Sequence, residues 1–301
     1  MPRSGVLIFN PQAGRWKAAE QAKTLAFILE QGGFSIEPKP TRAPGDATTL
    51  ARQAAAAGVE VVFVLGGDGT LREAAAGLLG SAAILAPLPG GTTNVVVGAL
   101  GIPTKPPAAA KALCRAPTRE LDVGLCGTEP FLMLASVGLD AYVMRLLNPT
   151  LKRRYGKGAV LWSGFHAWRR YDYPQIEIVA DGEPKQATYA AICNLPVYAG
   201  QLKLAPRVRA DDGRLHLVLS RGAGRAAALG FARDLALGRH ARRQDVEILA
   251  AEKIELRAPA DLNLQIDGDA FDLSLPLTIR LAESRIKILA PSGRFFKNHP
   301  E

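Results

Sequence analysis

Between Val61 and Glu73 the chain reads VVFVLGGDGTLRE. An apolar run, Val61 to Leu65, stops at Gly66-Gly67-Asp68-Gly69-Thr70, and a helix-like pattern from Leu71 to Leu79 follows. A buried strand that ends in glycines and feeds a helix leaves backbone N–H groups open at the turn. With no Cβ in the way, a phosphate can approach those groups closely. Asp68 sets a carboxylate where the phosphate would sit, which is unfavourable unless a divalent cation lies between them. The stretch therefore points to a nucleotide–Mg²⁺ site. The same residues also suit a tight strand-to-helix turn that needs glycine for its geometry alone.

The logic recurs on either side. Gly5 to Phe9 reads as a buried strand ending in Asn10-Pro11-Gln12-Ala13-Gly14, with a helix-like segment from Trp16 to Glu30. A strand from Gly33 to Pro40 leads through Thr41 to a helix from Asp46 to Ala57, with Asp46 read as its N-cap. A strand from Ala83 to Leu88 ends in Pro89-Gly90-Gly91-Thr92-Thr93-Asn94, and a short helix spans Ala108 to Arg115. Alternating strands and helices predict a parallel sheet, and the three glycine-bearing turns would lie together at its carboxyl edge, where open α/β folds bind ligands.

After about Leu121 the pattern changes to many short strand-like runs, with Asp-Gly pairs at Asp181-Gly182, Asp212-Gly213 and Asp267-Gly268. Such pairs are hairpin signals, so this half predicts a mainly antiparallel β-sandwich, with a helix from Gly224 to Leu237. The expected organisation is an α/β domain over residues 1–122 and a sandwich over 123–289. The strand from Arg285 to Leu289 and the tail, 290–301, are expected to pack back on the first domain. The length of 301 residues suffices for two cores, and a 48% hydrophobic share is that of a globular protein.

Lys and Arg number 37 against 28 Asp and Glu, a net charge of +9 that favours anionic partners. Cys114, Cys126 and Cys193 have no metal-binding spacing and read as buried thiols in a reducing compartment. No leader pattern and no apolar run long enough to span a bilayer is present, so the expected location is cytoplasmic with peripheral membrane contact. The segment for that contact is Lys152-Arg153-Arg154 followed by Trp162, Phe165 and Trp168, aromatic rings between basic clusters. An amphipathic helix with its aromatics packed inward fits the same residues. Nothing in the chain matches GxxxxGK[ST], and GxGxxG fails because Arg72 stands at the last glycine.

Asn10 to Gly14, Gly66 to Thr70 with Glu73, Pro89 to Asn94, Leu121-Asp122-Val123-Gly124 and Asp267-Gly268-Asp269 follow the order and spacing of the diacylglycerol kinase catalytic-domain family. That family includes bacterial lipid kinases, sphingosine kinases and ceramide kinases. The resemblance spans essentially the whole chain, and it implies a phosphofructokinase-like α/β domain, a β-sandwich and an active site between them. It implies ATP and Mg²⁺ as cofactors. The nucleotide contacts map onto Asn10, Pro11, Gln12, Ala13, Gly14, Thr41, Gly66, Gly67, Asp68, Gly69, Thr70, Glu73, Gly91, Thr92 and Asn94. The implied catalytic carboxylates are Asp269 as proton acceptor, with Asp68 and Asp267. The implied metal carboxylates are Asp68, Asp122 and Asp212.

Two positions depart from the family pattern. Val95 replaces a common Asp after Asn94, and Asp269 replaces a Glu, shortening the acid by one methylene. The leading expectation is an ATP- and Mg²⁺-dependent kinase acting on a neutral lipid, diacylglycerol-like or sphingoid, with no nucleic-acid role and a homodimer compatible. A soluble-substrate kinase of the NAD kinase type shares GGDGT, and a weakly catalytic lipid- or nucleotide-binding relic is suggested by Val95 and Asp269.

Overall fold

In the first domain the apolar runs become parallel strands β1 (Arg3–Phe9), β2 (Phe34–Pro40), β3 (Val61–Gly66) and β4 (Ile84–Pro89), in the order β2-β1-β3-β4. Every residue of β3 and β4 is buried, as a parallel sheet covered on both faces requires. The cover is α1 (Ala18–Gln31), α2 (Asp46–Ala56), α3 (Asp68–Leu78), α4 (Val95–Ala99) and α5 (Pro106–Leu113). The computed structural model describes all residues except 1, 12–17, 92, 148–156, 200–201, 259–261, 273–274, 292–293 and 297–301, and omits the side chains of 157, 159–161 and 258.

Two expectations change here. Asp46 does not cap its helix: the cap position is Gly45, at φ 87°, and the Asp46 carboxylate reaches back to the amides of Arg42 and Ala43. Helix α3 starts at Asp68 rather than Leu71, because the glycine corner itself forms the first turn.

The chain leaves through β5 (Thr118–Leu121) and builds the second domain from short strands: β6 (Gly124–Cys126), β7 (Glu129–Phe131) and β8 (Leu134–Val137). Helices α6 (Leu139–Leu146) and α7 (Lys157–Arg170) follow, then β9 (Ile176–Ala180), β10 (Glu183–Ala187) and β11 (Tyr189–Cys193). A small ribbon, β12 (Val197–Tyr198) with β13 (Leu202–Lys203), precedes β14 (Leu215–Ser220) and α8 (Gly224–Ala236). The last strands are β15 (Val246–Ala251), β16 (Lys253–Ala258), β17 (Leu264–Ile266), β18 (Asp269–Phe271), β19 (Leu277–Leu281) and β20 (Ile286–Leu289).

Two sheets, β10-β9-β16-β19-β6-β7 and β15-β14-β11-β8-β17-β18, enclose a core that includes Phe131, Ile178, Ile192, Leu217 and Ile279. Strand β20 belongs to neither sheet. It lies between β4 and β5 in the first sheet, so the sandwich ends near Leu281, not at residue 289. Beyond it, Phe295 and Phe296 are buried in the first core. The outgoing and returning crossings run side by side, the Ala282 amide donating to the Val123 carbonyl at 2.8 Å. Adjacent antiparallel crossings of this kind set the two domains against each other.

Candidate active site

Register brings the strand ends together. Phe9 pairs with Pro40 and with Leu65, Leu65 with Leu88, and Gly66 with Pro89. The residues that follow each strand therefore share one rim. There the Asn10 amide donates to Leu65 O at 3.2 Å, the Thr41 amide to Phe9 O at 2.9 Å, and the Gly90 amide to Gly66 O at 2.9 Å. Two glycine corners touch: a Cβ on Gly91 would stand 2.6 Å from Gly67 Cα. Asn94, left-handed at φ 47°, fixes the second corner by exchanging two 2.8 Å bonds with the Gly91 backbone. Pro11 is exposed beside Asn10; Gln12, Ala13, Gly14 and Thr92 lie outside the described residues.

Helix α3 begins at this rim. Gly67 is its N-cap and supplies no side chain, so the first-turn amides have no side-chain cap. They form the positive end of the helix, a ready anion site. The Asp68 carboxylate accepts from the amides of Val95 at 3.0 Å and Val96 at 3.1 Å. It thus ties the two corners together and serves the start of α4, a contribution of about 1 kcal/mol. The Thr70 side chain crowds Gly66 at 2.6 Å from its would-be Cβ, and the Glu73 carbonyl accepts from Thr48 Oγ1 at 2.8 Å, joining α3 to α2.

The second domain presents a hairpin to this rim. Ile266 pairs with Asp269 across the two-residue turn Asp267-Gly268, with φ values of 51° and 86°. Two left-handed residues make the turn that suits strand twist, which is why Asp-Gly occupies it. The Asp267 carboxylate points inward, accepting from the amides of Leu132 at 2.8 Å, Met133 at 2.8 Å and Leu134 at 3.1 Å. Burial pushes its pKa up to about 6, against the pull of those amides and the Arg72 charge. Asp267 thereby anchors the turn. Gln265 is a second anchor: its Oε1 accepts from the Gly268 amide at 2.7 Å, and its Nε2 donates to Ser136 Oγ at 2.7 Å.

Asp269 follows the turn and faces the gap. Its side chain is 46% exposed, and its Oδ2 lies 3.0 Å from where a Cβ on Gly69 would be. Arg72, one helical turn beyond Asp68, reaches Asp269 Oδ2 at 3.5 Å and stacks 4.6 Å from the Phe271 ring centroid. Sequence reasoning passed over Arg72, although its i+4 spacing from Asp68 places both on one helix face.

Asp122 and Asp212 are occupied otherwise than expected. Asp122 is buried, accepting from Arg285 Nε at 2.6 Å and the Gly213 amide at 2.7 Å. Asp212 meets His216 Nε2 at 2.9 Å and the Arg214 amide at 3.1 Å. Both carboxylates thus accept from protein donors. Among the described residues no group of three or more His, Cys, Asp or Glu side chains gathers as a metal site. Mg²⁺ commonly uses one or two carboxylates plus substrate phosphates and water. Asp68 and Asp269, on either side of the α3 start, fit an ion that arrives with a nucleotide and not a protein cage.

Among the described residues, five of the six exposed large apolar side chains, Leu146, Trp162, Phe165, Leu229 and Leu237, belong to α6, α7, α8 or the end of α8; the sixth is Phe27. Trp168 is not among them: its indole N–H donates to Arg225 O at 2.9 Å, fastening α7 to α8. Lys152, Arg153 and Arg154 lie outside the described residues. No described helix is long and apolar enough to cross a membrane.

An α/β rim of glycine corners faced by an acidic hairpin from a β-sandwich defines a two-domain phosphotransferase. Residues 4–126 match the model of the diacylglycerol kinase catalytic domain, and residues 133–290 that of the YegS C-terminal NAD kinase beta sandwich-like domain. The chain belongs to the diacylglycerol kinase catalytic-domain family and is a kinase. It is 28% identical to a probable lipid kinase YegS-like protein of Pseudomonas putida, over 99% of both chains. A similar relative from Chromohalobacter salexigens is 34% identical over 64% of each chain. The Bacillus subtilis diacylglycerol kinase is 27% identical over 87% of this chain and 88% of its own. A solved diacylglycerol kinase structure from Bacillus anthracis superposes with a TM-score of 0.78 at 23% identity, covering 96% of this chain and 97% of that one, a likeness of fold.

Proposed function

We propose that the chain transfers the γ-phosphoryl group of ATP to a hydroxyl of a neutral lipid, of the diacylglycerol, sphingosine or ceramide kind. The observation that carries this reading is the approach of Asp269, from one domain, to Gly69 at the start of α3 in the other. The α3 amides and the corners at Gly66–Asp68 and Gly90–Asn94 hold the phosphates, with Asn10, Pro11, Thr41 and Glu73 nearby on the rim. Asp269 accepts the hydroxyl proton as the lipid oxygen attacks in line. Asp68 keeps the corners together and would help to hold the metal; Asp267 and Gln265 hold the turn that aims Asp269. Mg²⁺ arriving with the nucleotide would be held beside Asp68 and would supply positive charge to the phosphates.

The relatives named lipid kinase and diacylglycerol kinase support a lipid acceptor. The exposed Trp162 and Phe165, 60% and 54% accessible, with Arg169 and Arg170 in the last turn of α7, support contact with an acidic membrane surface. A second reading, phosphorylation of NAD, is favoured by the NAD kinase-like description of the second domain.

Labelled ATP offered with lipid vesicles or with NAD separates the two. The expected result is labelled lipid, lost about a hundredfold or more in Asp269→Ala and Asp68→Ala. In the same vesicles the Trp162→Ala, Phe165→Ala double variant should sediment less. Label on NAD alone decides for the second reading, and undiminished turnover in both carboxylate variants removes the roles assigned to them.

A further inference from the structure

We propose that Arg72 is a catalytic residue whose guanidinium grips the transferring phosphoryl group, exchanging Asp269 for phosphate as its partner during the reaction. This rests on the phosphoryl-transfer reading above. Arg72 lies in the gap between domains, its side chain 11% exposed, one turn beyond the α3 amides that suit an anion. A guanidinium carries five donors. Here one donor meets Asp269 at 3.5 Å, beyond the 2.7–2.9 Å of a well-made charge-assisted bond. Nε is buried and has no hydrogen-bond partner among the described residues. A buried cation with unmet donors is costly unless an anion completes it. A latch between the domains would be served by a short two-pronged pair; a single long contact to a half-exposed acid is a poor latch and a good waiting position.

The charges balance along the reaction. The lipid O–H bond breaks and its proton passes to the Asp269 carboxylate. A bond forms from that oxygen to the γ-phosphorus, the bond from γ-phosphorus to the β,γ-bridging oxygen breaks, and ADP leaves with that electron pair. Protonation removes the negative charge beside Arg72 while the phosphoryl oxygens offer theirs. The Phe271 ring holds the guanidinium plane through both states, a contact that Lys would make less well.

The test uses the full chain with Mg²⁺ and compares Arg72→Gln and Arg72→Lys with the parent. Calorimetry reads affinity for ATP and for ADP, and vesicle assays read kcat and lipid KM. The expected result is ATP binding weakened about tenfold or more while ADP binding changes less than about twofold. Lipid kcat should fall about a hundredfold at unchanged lipid KM, with partial recovery in the Lys variant, which keeps the charge without the fork. Equal loss for ATP and ADP, or no loss for either, overturns the proposal and leaves Arg72 a structural contact. If Arg72→Gln does not fold, Arg72→Lys carries the comparison by itself. An ATP preference that depends on Arg72 in a protein labelling no lipid would sink the acceptor assignment and leave Arg72 standing. Full turnover in Asp269→Ala would sink the proton acceptor instead.

Discussion

Asp267 and Asp269 stand on either side of one glycine and face opposite ways. The first is enclosed by three backbone amides, the second opens to the gap. Replacing Asp267 by Asn keeps the shape but turns an amide N–H₂ toward backbone donors on one side. The loss should be about 2 kcal/mol, read as a lowered denaturation midpoint. The pH dependence has a definite sign. The folded pKa, about 6, exceeds the unfolded carboxylate value of about 3.9, so the native state binds this proton more tightly. The stability so contributed is complete below about pH 4 and is lost as pH rises through about 6. The gap in stability between parent and Asn variant should therefore be wider near pH 4 than near pH 7. From the sequence the two aspartates look alike, because a turn motif gives residue types and not the direction of a side chain. For the same reason the sequence does not show the partners of Asp122 and Asp212: Arg285 and His216 enter from the fold.

At the scale of elements, the strand-turn-helix units of the first domain could be read from hydrophobic period and glycine punctuation. The runs of apolar residues at β3 and β4 admit little else. Elements that tertiary contact decides were not legible. Helix α4 is a valine-rich run that becomes helical where Asp68 meets its first amides. Strand β10, EPKQA, is polar and contains Pro184, tolerable because it lies at a sheet edge. The touching corners make a paired prediction. A methyl group on Gly91 would meet Gly67 backbone at 2.6 Å, whereas one on Gly67 finds nothing nearer than 3.6 Å. Gly91→Ala should thus cost about 1–3 kcal/mol of stability. Gly67→Ala should melt like the parent but bind ATP more weakly, its methyl group standing where phosphate approaches the backbone. Calorimetry and thermal melts on the two proteins check both halves.

Across the whole molecule, the domains are joined by two adjacent crossings and by a cluster in which buried Asp122 holds Arg285 and the Gly213 amide. Strand β20 returns to the first sheet, and Phe295 and Phe296 complete its core. This arrangement sets the acid of one domain against the glycine corners of the other. The return strand was legible, expected from Arg285 and found at Ile286–Leu289; its place between β4 and β5 was not, because that pairing is set by the tertiary fold. The most direct measurement is a crystal structure with Mg²⁺ and a non-hydrolysable ATP analogue. The account predicts the γ-phosphate against the amides of Asp68 to Thr70, with Asp269 and Arg72 converging on it from the sides. A nucleotide seated away from those corners, or a γ-phosphate with Asp269 turned from the gap, would contradict it.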